Sequence, residues 1–225
     1  MAINLNTAAS AGSIFHPQTL SYTARATDTR IVAAIATSAT PQNLPSPVTY
    51  NSVTMNQLGI ITSSSGLISL LFYYLDNPSN SLGWGSALNL TAGYTANGTG
   101  YINAAVSMSG HDTTRIPVIG TGSEENPTTT PTYNQTGAGT SDIYLGAVFG
   151  QPNTTITATG TGQTSLTQTI AVNGGISLSL DEILGTNSGS FSWSTTNMDA
   201  AVLGVIVFGA PPPPTNYSLE SSEYF

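Results

Sequence analysis

Between Leu20 and Phe208 the chain is written in short blocks where β-branched and aromatic residues alternate with polar ones, and Gly, Pro or Asn interrupts every ten residues or so. Such a sequence does not sustain a helix, which needs apolar residues three and four positions apart over about ten residues or more. Period-two alternation instead turns one face of a strand inward, and blocks of this length and spacing predict an all-β sandwich or barrel. The expected strands are Leu20 to Ala24, Arg30 to Thr37, Val48 to Tyr50, Val53 to Ile61, Leu67 to Leu75, Ala87 to Tyr94, Tyr101 to Ser109, Ile143 to Phe149, Thr154 to Thr159, Ser165 to Ala171, Ser190 to Ser194 and Ala200 to Phe208. Ile31 to Ile35 and Val202 to Phe208 are near-continuous apolar runs, which predicts central strands covered on both faces or pressed against a subunit neighbour. Leu67 to Leu75 is apolar on both faces, so sheet packing on one side and a partner or long loop on the other are expected.

Composition decides whether those strands can condense. Only 6% of the chain is charged, against about 25% in an average soluble domain, and its Ser, Thr, Asn and Gly content alone would suit a disordered linker. Hydrophobic residues nevertheless reach 39% and fall inside the strand blocks, which is enough for the core of one domain. There is no lysine, the only cations are Arg25, Arg30 and Arg115, and the formal charge is -8. That excludes nucleic-acid binding by phosphate neutralisation. The absence of cysteine removes disulfides, thiolate metal sites and a cysteine nucleophile. No membrane span is expected, because the longest apolar run, Ala200 to Ala210, has eleven residues and ends in four prolines, whereas a helical span takes about 20. Met1 to Thr7 shows no secretory signal.

The ends read differently from the middle. Residues 1–18 are small and polar around Ile14, Phe15 and His16, and are expected to form an N-terminal arm. Residues 19–210 make the β-sandwich domain. Pro211 to Pro214 enforces an extended polyproline segment, and with the acidic tail ending in Tyr224 and Phe225 it forms a C-terminal arm over 211–225. Phe15, Pro211, Pro212, Pro213, Pro214, Tyr224 and Phe225 are therefore the expected assembly contacts. Gly120 to Gly139 is rich in Gly, Thr, Pro and Asn and reads as a surface excursion. The hexapeptides Thr95 to Gly100 and Thr157 to Gly162 resemble each other, but no period links their flanks.

Candidate chemistry is sparse. The possible bases for a serine hydrolase are His16 and His111, and no G-x-S-x-G elbow accompanies them. His111 and Asp112 are adjacent, so on a strand they point to opposite faces, and a turn in which Asp112 caps backbone amides and pairs with Arg115 is expected instead. The adjacent acids Glu124-Glu125 and Asp181-Glu182 lack a calcium-loop pattern and read as solvated loops. None of the G-x-G triplets continues into a phosphate-binding loop. The sequons at Asn89, Asn97, Asn134, Asn153 and Asn216 are as many as the Ser and Thr content produces by chance. Exposed aromatics on a flat β face can stack on sugars, and Trp84, Tyr94, Tyr101, Tyr133 and Tyr144 are candidates. Trp84, flanked by glycines in a loop, and Tyr133 are the expected glycan contacts. No catalytic residue, cofactor or metal site is expected.

The hairpin Pro47 to Asn56, preceded by the apolar strand Ile31 to Ile35 and followed by Leu70-Leu71-Phe72-Tyr73-Tyr74-Leu75-Asp76-Asn77-Pro78, resembles β-sandwich modules of tailed-phage virion proteins and bacterial surface proteins. Strands like Ala104 to Gly110, Asp142 to Phe149 and Ala200 to Phe208 follow in the same order, so the resemblance spans residues 30–208. Ser52 stands where that pattern has glycine, which disfavours a two-residue turn with positive φ at both centres. The resemblance implies an all-β fold, a single antiparallel β-sandwich, jelly-roll-like, with extended N- and C-terminal arms. It also implies a non-enzymatic virion protein, most like a capsid decoration (cement) subunit on the capsid surface. The expected partners are copies of itself, as a homotrimer, and the major capsid protein or other virion subunits, with no nucleic acid and no membrane. The alternative is a receptor- or carbohydrate-binding module of a tail fibre or extracellular filament.

Overall fold

The computed structural model describes residues 3–13, 18–38, 47–63, 66, 68–77, 81–93, 100–124, 129–136, 142–151, 154–171, 175–184, 188–196, 198 and 200–209. Among these residues every regular element is a strand, and all pairings are antiparallel, so the expected all-β antiparallel sandwich is what the chain forms.

The first half supplies β1 (Asn4–Leu5), β2 (Ala9–Ser13), β3 (Gln18–Tyr22), β4 (Arg30–Thr37), β5 (Val48–Tyr50), β6 (Val53–Thr54), β7 (Asn56–Thr62), β8 (Ser69–Asp76), β9 (Leu88–Ala92) and β10 (Tyr101–Ser109). The second supplies β11 (Val118–Glu124), β12 (Thr132–Thr136), β13 (Ile143–Gln151), β14 (Thr157–Ala158), β15 (Gln163–Ala171), β16 (Ile176–Leu184), β17 (Ser188–Ser194) and β18 (Ala200–Phe208). Two inner sheets have the orders β1-β10-β4-β8-β7, with β2 also on β10, and β11-β18-β13-β16-β15. Two outer sheets have the orders β3-β9-β5-β6 and β12-β17-β14.

Side-chain alternation stacks these sheets in four layers. Val32, Ala34, Leu70, Phe72, Ile102 and Val106 turn one face of the first inner sheet onto Leu145, Ala147, Phe149, Leu178, Val202 and Ile206 of the second. The opposite faces carry Ile31, Ile35, Leu71 and Tyr73 against Leu20, Tyr50 and Leu90 of one outer sheet, and Tyr144, Val148 and Leu203 against Phe191 and Trp193 of the other. All eight residues of β4 are consequently buried, which is why Ile31 to Ile35 reads as a continuous apolar run. The chain's own outer sheet, and no subunit neighbour, covers its second face.

Each half also repeats the other. Strands β2, β3, β4, β5, β7, β8, β9 and β10 occupy the same places in their two sheets as β11, β12, β13, β14, β15, β16, β17 and β18 do in theirs, in the same chain order. The halves meet as a two-fold rotation would place them: β2 lies along β15, where Ser10 Oγ is 2.7 and 2.6 Å from the hydroxyls of Thr167 and Thr169. At the equivalent seam β7 lies along β11, where Gly59 faces Ile119. The paired hexapeptides do not mark this repeat: the first precedes β10 and the second spans β14 and the turn into β15.

Several local expectations are corrected. Residues 4–13 do not form an arm; they pair with β10 at the edge of the first inner sheet. Alternating apolar residues are few there, so the pairing rests on backbone hydrogen bonds and small side chains. The expected strand Val53 to Ile61 divides at Met55, where the chain passes from the outer sheet (β6 on β5) to the inner sheet (β7 on β8). Part of the expected excursion at 120–139 is paired, as β11 and β12. β16 is absent from the expected strands, because Asp181 and Glu182 mask an alternating Ile-Ser-Leu-Ser-Leu start. Phe15 and residues 210–225, with the proline run, Tyr224 and Phe225, lie outside the described residues.

Candidate functional site

The acid, base and cation side chains that suggest chemistry lie mostly inside the stack. Arg30 opens β4 directly opposite Asp76 at the end of β8. Its Nε and Nη2 donate to the two carboxylate oxygens at 2.6 and 2.9 Å, and its guanidinium lies 5.0 Å from the Tyr74 ring centre and 5.8 Å from that of Phe208. Since Phe208 closes β18, one residue 2% exposed ties the halves together. His111 joins this cluster. Its side chain is wholly buried, with Nε2 3.8 Å from Asp76 Oδ1, and neither ring nitrogen has a hydrogen-bonding partner. Burial alone would raise the Asp76 carboxyl, but His111 and the Arg30 guanidinium outweigh it and hold it below the ordinary carboxylate range. The carboxylate beside His111 is thus Asp76 and not its chain neighbour. Asp112 does cap a turn as expected, accepting from Thr114 N at 2.9 Å and Thr114 Oγ1 at 2.6 Å.

A second cluster fastens the first half. Asp28 accepts from Arg25 N and Nε at 3.0 Å each and from Ser107 Oγ, and the Tyr22 hydroxyl lies 3.0 Å from Ser107 Oγ. Burial pushes the Tyr22 phenol up to about 12. The third is Asp181, 0% exposed on β16. It accepts from Trp193 Nε1, Gln163 Nε2 and Ser179 Oγ, and desolvation raises its pKa despite those donors. Asp181 is therefore no solvated loop acid. Within these clusters the His111 and Asp181 side chains are closed to solvent, while Asp76 and Arg25 remain partly exposed. Among the described residues no three His, Asp or Glu side chains gather in a metal-binding group.

The expected stacking aromatics are also internal. Trp84 is 4% exposed and meets the Tyr50 ring edge-on at 6.1 Å. Tyr101 and Tyr144 are fully buried, and Tyr133 packs partly against the third core. The Trp84 ring offers no face to a sugar, because the glycines around it let the loop fold the indole under the outer sheet. Tyr94 and His16 lie outside the described residues.

What the outer faces do offer is a regular neutral array. On the β3-β9-β5-β6 sheet Thr19 pairs with Thr91, Thr91 with Thr49, and Thr49 with Thr54, so four threonines from four strands form one row. A second row runs from Ser21 through Asn89 to Asn51, whose N–H donates to the Asn89 carbonyl at 2.9 Å. Neighbouring strands are about 4.8 Å apart and alternate residues about 6.7 Å apart, which sets the grid. At one end the rows dip into a depression of about 270 Å³ lined by Thr49, Asn51, Ser52, Asn89 and Thr91. Asn51 and Ser52 form the β5–β6 turn with φ of 51° and 63°, so the tight turn disfavoured by the missing glycine forms nonetheless, in the left-handed region. The other outer sheet repeats the chemistry: Thr132 pairs with Ser192 and Asn134 with Ser190, where Ser190 Oγ donates to Asn134 Oδ1 at 2.6 Å. None of these seven outer strands contains a charged residue. The signal is present in the sequence as the polar half of each alternating strand, but only the register brings the threonines into one row.

No protein-family model matches the sequence, and neither a curated protein nor a solved structure matches the chain.

Proposed function

We propose that the chain is a non-enzymatic structural subunit of a tailed-phage virion, a capsid decoration (cement) protein that stabilises the assembled shell through subunit contacts. The observation that carries this reading is the disposition of charge. Arg30, His111 and Asp181 are buried, with Asp76 partly exposed beside the first two, while the strands of both outer sheets carry no charged residue and present hydroxyls and amides. Neutral faces of this kind suit display in many copies, where contacts between subunits replace the charges a solitary protein uses for solubility. The wiring of each half, two sheets wound from consecutive strands in Greek-key fashion, supports the jelly-roll-like fold that the resemblance implies.

With residues 4–13 paired to the chain's own sheet, the C-terminal segment from Pro211 to Phe225 is left to reach the capsid or a neighbouring copy, and the subunit acts as a homotrimer on the capsid surface. The test is add-back to virions from which the chain has been deleted. Full-length protein should load onto the particles and raise the temperature at which the shell breaks, while protein lacking residues 211–225 should remain folded and fail to load. Equal loading without that segment, or no loading of the full chain, overturns the reading. The alternative, a receptor- or carbohydrate-binding module of a tail fibre or filament, is favoured by the neutral rows and the depression at Asn51.

A further inference from the structure

We propose that the outer face of the β3-β9-β5-β6 sheet is a binding site for a neutral polysaccharide, with one sugar ring seated in the depression at Thr49, Asn51, Ser52, Asn89 and Thr91. This deepens the carbohydrate-binding alternative and rests on that reading, while it is independent of the shell-stabilising role.

The chemistry of the lining selects the ligand. Every polar group there is an amide or a hydroxyl, so a charged ligand would leave water without gaining a counter-charge. An Asn side chain presents both donors and an acceptor, and a Thr or Ser hydroxyl does both. A ligand that satisfies such a set must itself alternate donors and acceptors at short spacing without net charge, as the ring hydroxyls of a neutral sugar do. Ala87 completes the lining beside Leu88, whose side chain packs partly into the core, and gives the C–H side of a ring an apolar contact. The volume, about 270 Å³, is at the small end for ligand sites and suits one ring, while drug-sized ligands take roughly 300–1,000 Å³. The Thr19–Thr91–Thr49–Thr54 row and the Ser21–Asn89 pair continue the same functional groups to one side, where further rings of a polymer would lie.

The site is also preorganised. Asn51 and Ser52 are fixed by the two-residue β5–β6 turn, which requires positive φ at both positions. Behind the sheet, Tyr22, Tyr50, Leu90 and Trp84 are packed in the core, so little ordering remains to be done when a ligand arrives.

The experiment is affinity electrophoresis and titration calorimetry of the full chain against soluble dextran, laminarin, glucomannan and galactomannan, with alginate and heparin as anionic counterparts. At least one neutral polymer should bind and neither anionic one should. Asn89→Ala and Thr91→Val, at exposed and half-exposed positions, should each weaken binding tenfold or more, with the melting temperature unchanged within about 2 °C. The same exchange on the opposite outer face, Asn134→Ala, should leave binding as it was. Binding only to alginate or heparin, no binding to any neutral polymer, or unaltered binding by folded Asn89→Ala and Thr91→Val proteins would each overturn the proposal. Particle loading reads the structural role separately, so the two can fail independently.

Discussion

Gly204→Ala tests the face-to-face packing of the two inner sheets more directly than any other single change. Gly204 lies mid-strand in β18, and a Cβ there would fall 2.5 Å from Ile61 Cδ1 and closer still to the Phe72 ring. Carbon atoms in good contact sit about 3.5–4.0 Å apart, so about 1 Å of movement or more is required. Phe72 is fully buried and held between Ala34 across one ladder and Gly59 across the other. Overpacking of this kind costs about 1–3 kcal/mol, and the upper end applies where neither neighbour can swing into solvent. Ala recovers about 0.5–1 kcal/mol from glycine's unfavourable backbone entropy, leaving a net loss of about 2 kcal/mol. For a chain of this size that lowers the melting temperature by roughly 4–8 °C. Scanning calorimetry of Gly204→Ala, Phe72→Leu and the double variant forms a cycle in which the smaller leucine side chain gives the new methyl room. The double variant should therefore be more stable than the sum of the single losses by about 1–2 kcal/mol. Strict additivity, or a Gly204→Ala protein that melts like wild type, would mean that Phe72 does not cross to β18 and that the inner sheets are not stacked as described.

The other expectations are local. Ser52→Gly relieves one left-handed L residue in the β5–β6 turn and should stabilise the chain by about 0.5–1 kcal/mol; a lower urea midpoint would contradict the turn geometry. Asp181→Asn should change the pH dependence of stability. Because the folded carboxyl of Asp181 is raised above its unfolded value, its contribution is full below the unfolded pKa and is lost as pH rises through the folded pKa, so the variant should gain on wild type over that interval. A difference that does not vary with pH would exclude a buried, titrating Asp181. His111→Leu removes two buried ring nitrogens that lack hydrogen bonds but also the imidazole that helps hold Asp76 below the ordinary carboxylate range, so the two effects oppose and the net change should stay within about 1 kcal/mol. A loss larger than that in denaturant unfolding would show that the imidazole is hydrogen-bonded.

Much of the fold is legible in the chain because strand periodicity is local. The run Ile31 to Ile35 announces a strand buried on both faces, and β4 is one, because a residue's hydrophobicity records whether its own face is covered. What covers it is a non-local property, and the run itself is equally compatible with an outer sheet and a neighbouring subunit. Asp181 shows the limit more sharply. An acid next to Glu182 reads as solvated, and nothing nearby reveals that Trp193 and Gln163 will donate to it from two other strands. Sequence proximity pairs His111 with Asp112, while its real carboxylate, Asp76, lies 35 positions away. Trp84 misleads in the opposite direction, since flanking glycines permit an aromatic to turn inward as readily as outward. The threonine row is visible only as scattered polar positions, because cross-strand register is set by turns and ladders rather than by any one segment.

The repeated wiring has a consequence for how stability depends on quantity. Contacts of β2 with β15, and of β7 with β11, are those a half-length chain would make with a second copy of itself in a closed, isologous dimer. Such a dimer would dissociate and expose its apolar inner faces on dilution. Joining the two copies in one polypeptide makes the partner permanently available at a fixed effective concentration. It also frees the seams to diverge, one toward Ser10 and its threonines and the other toward Gly59 and Ile119.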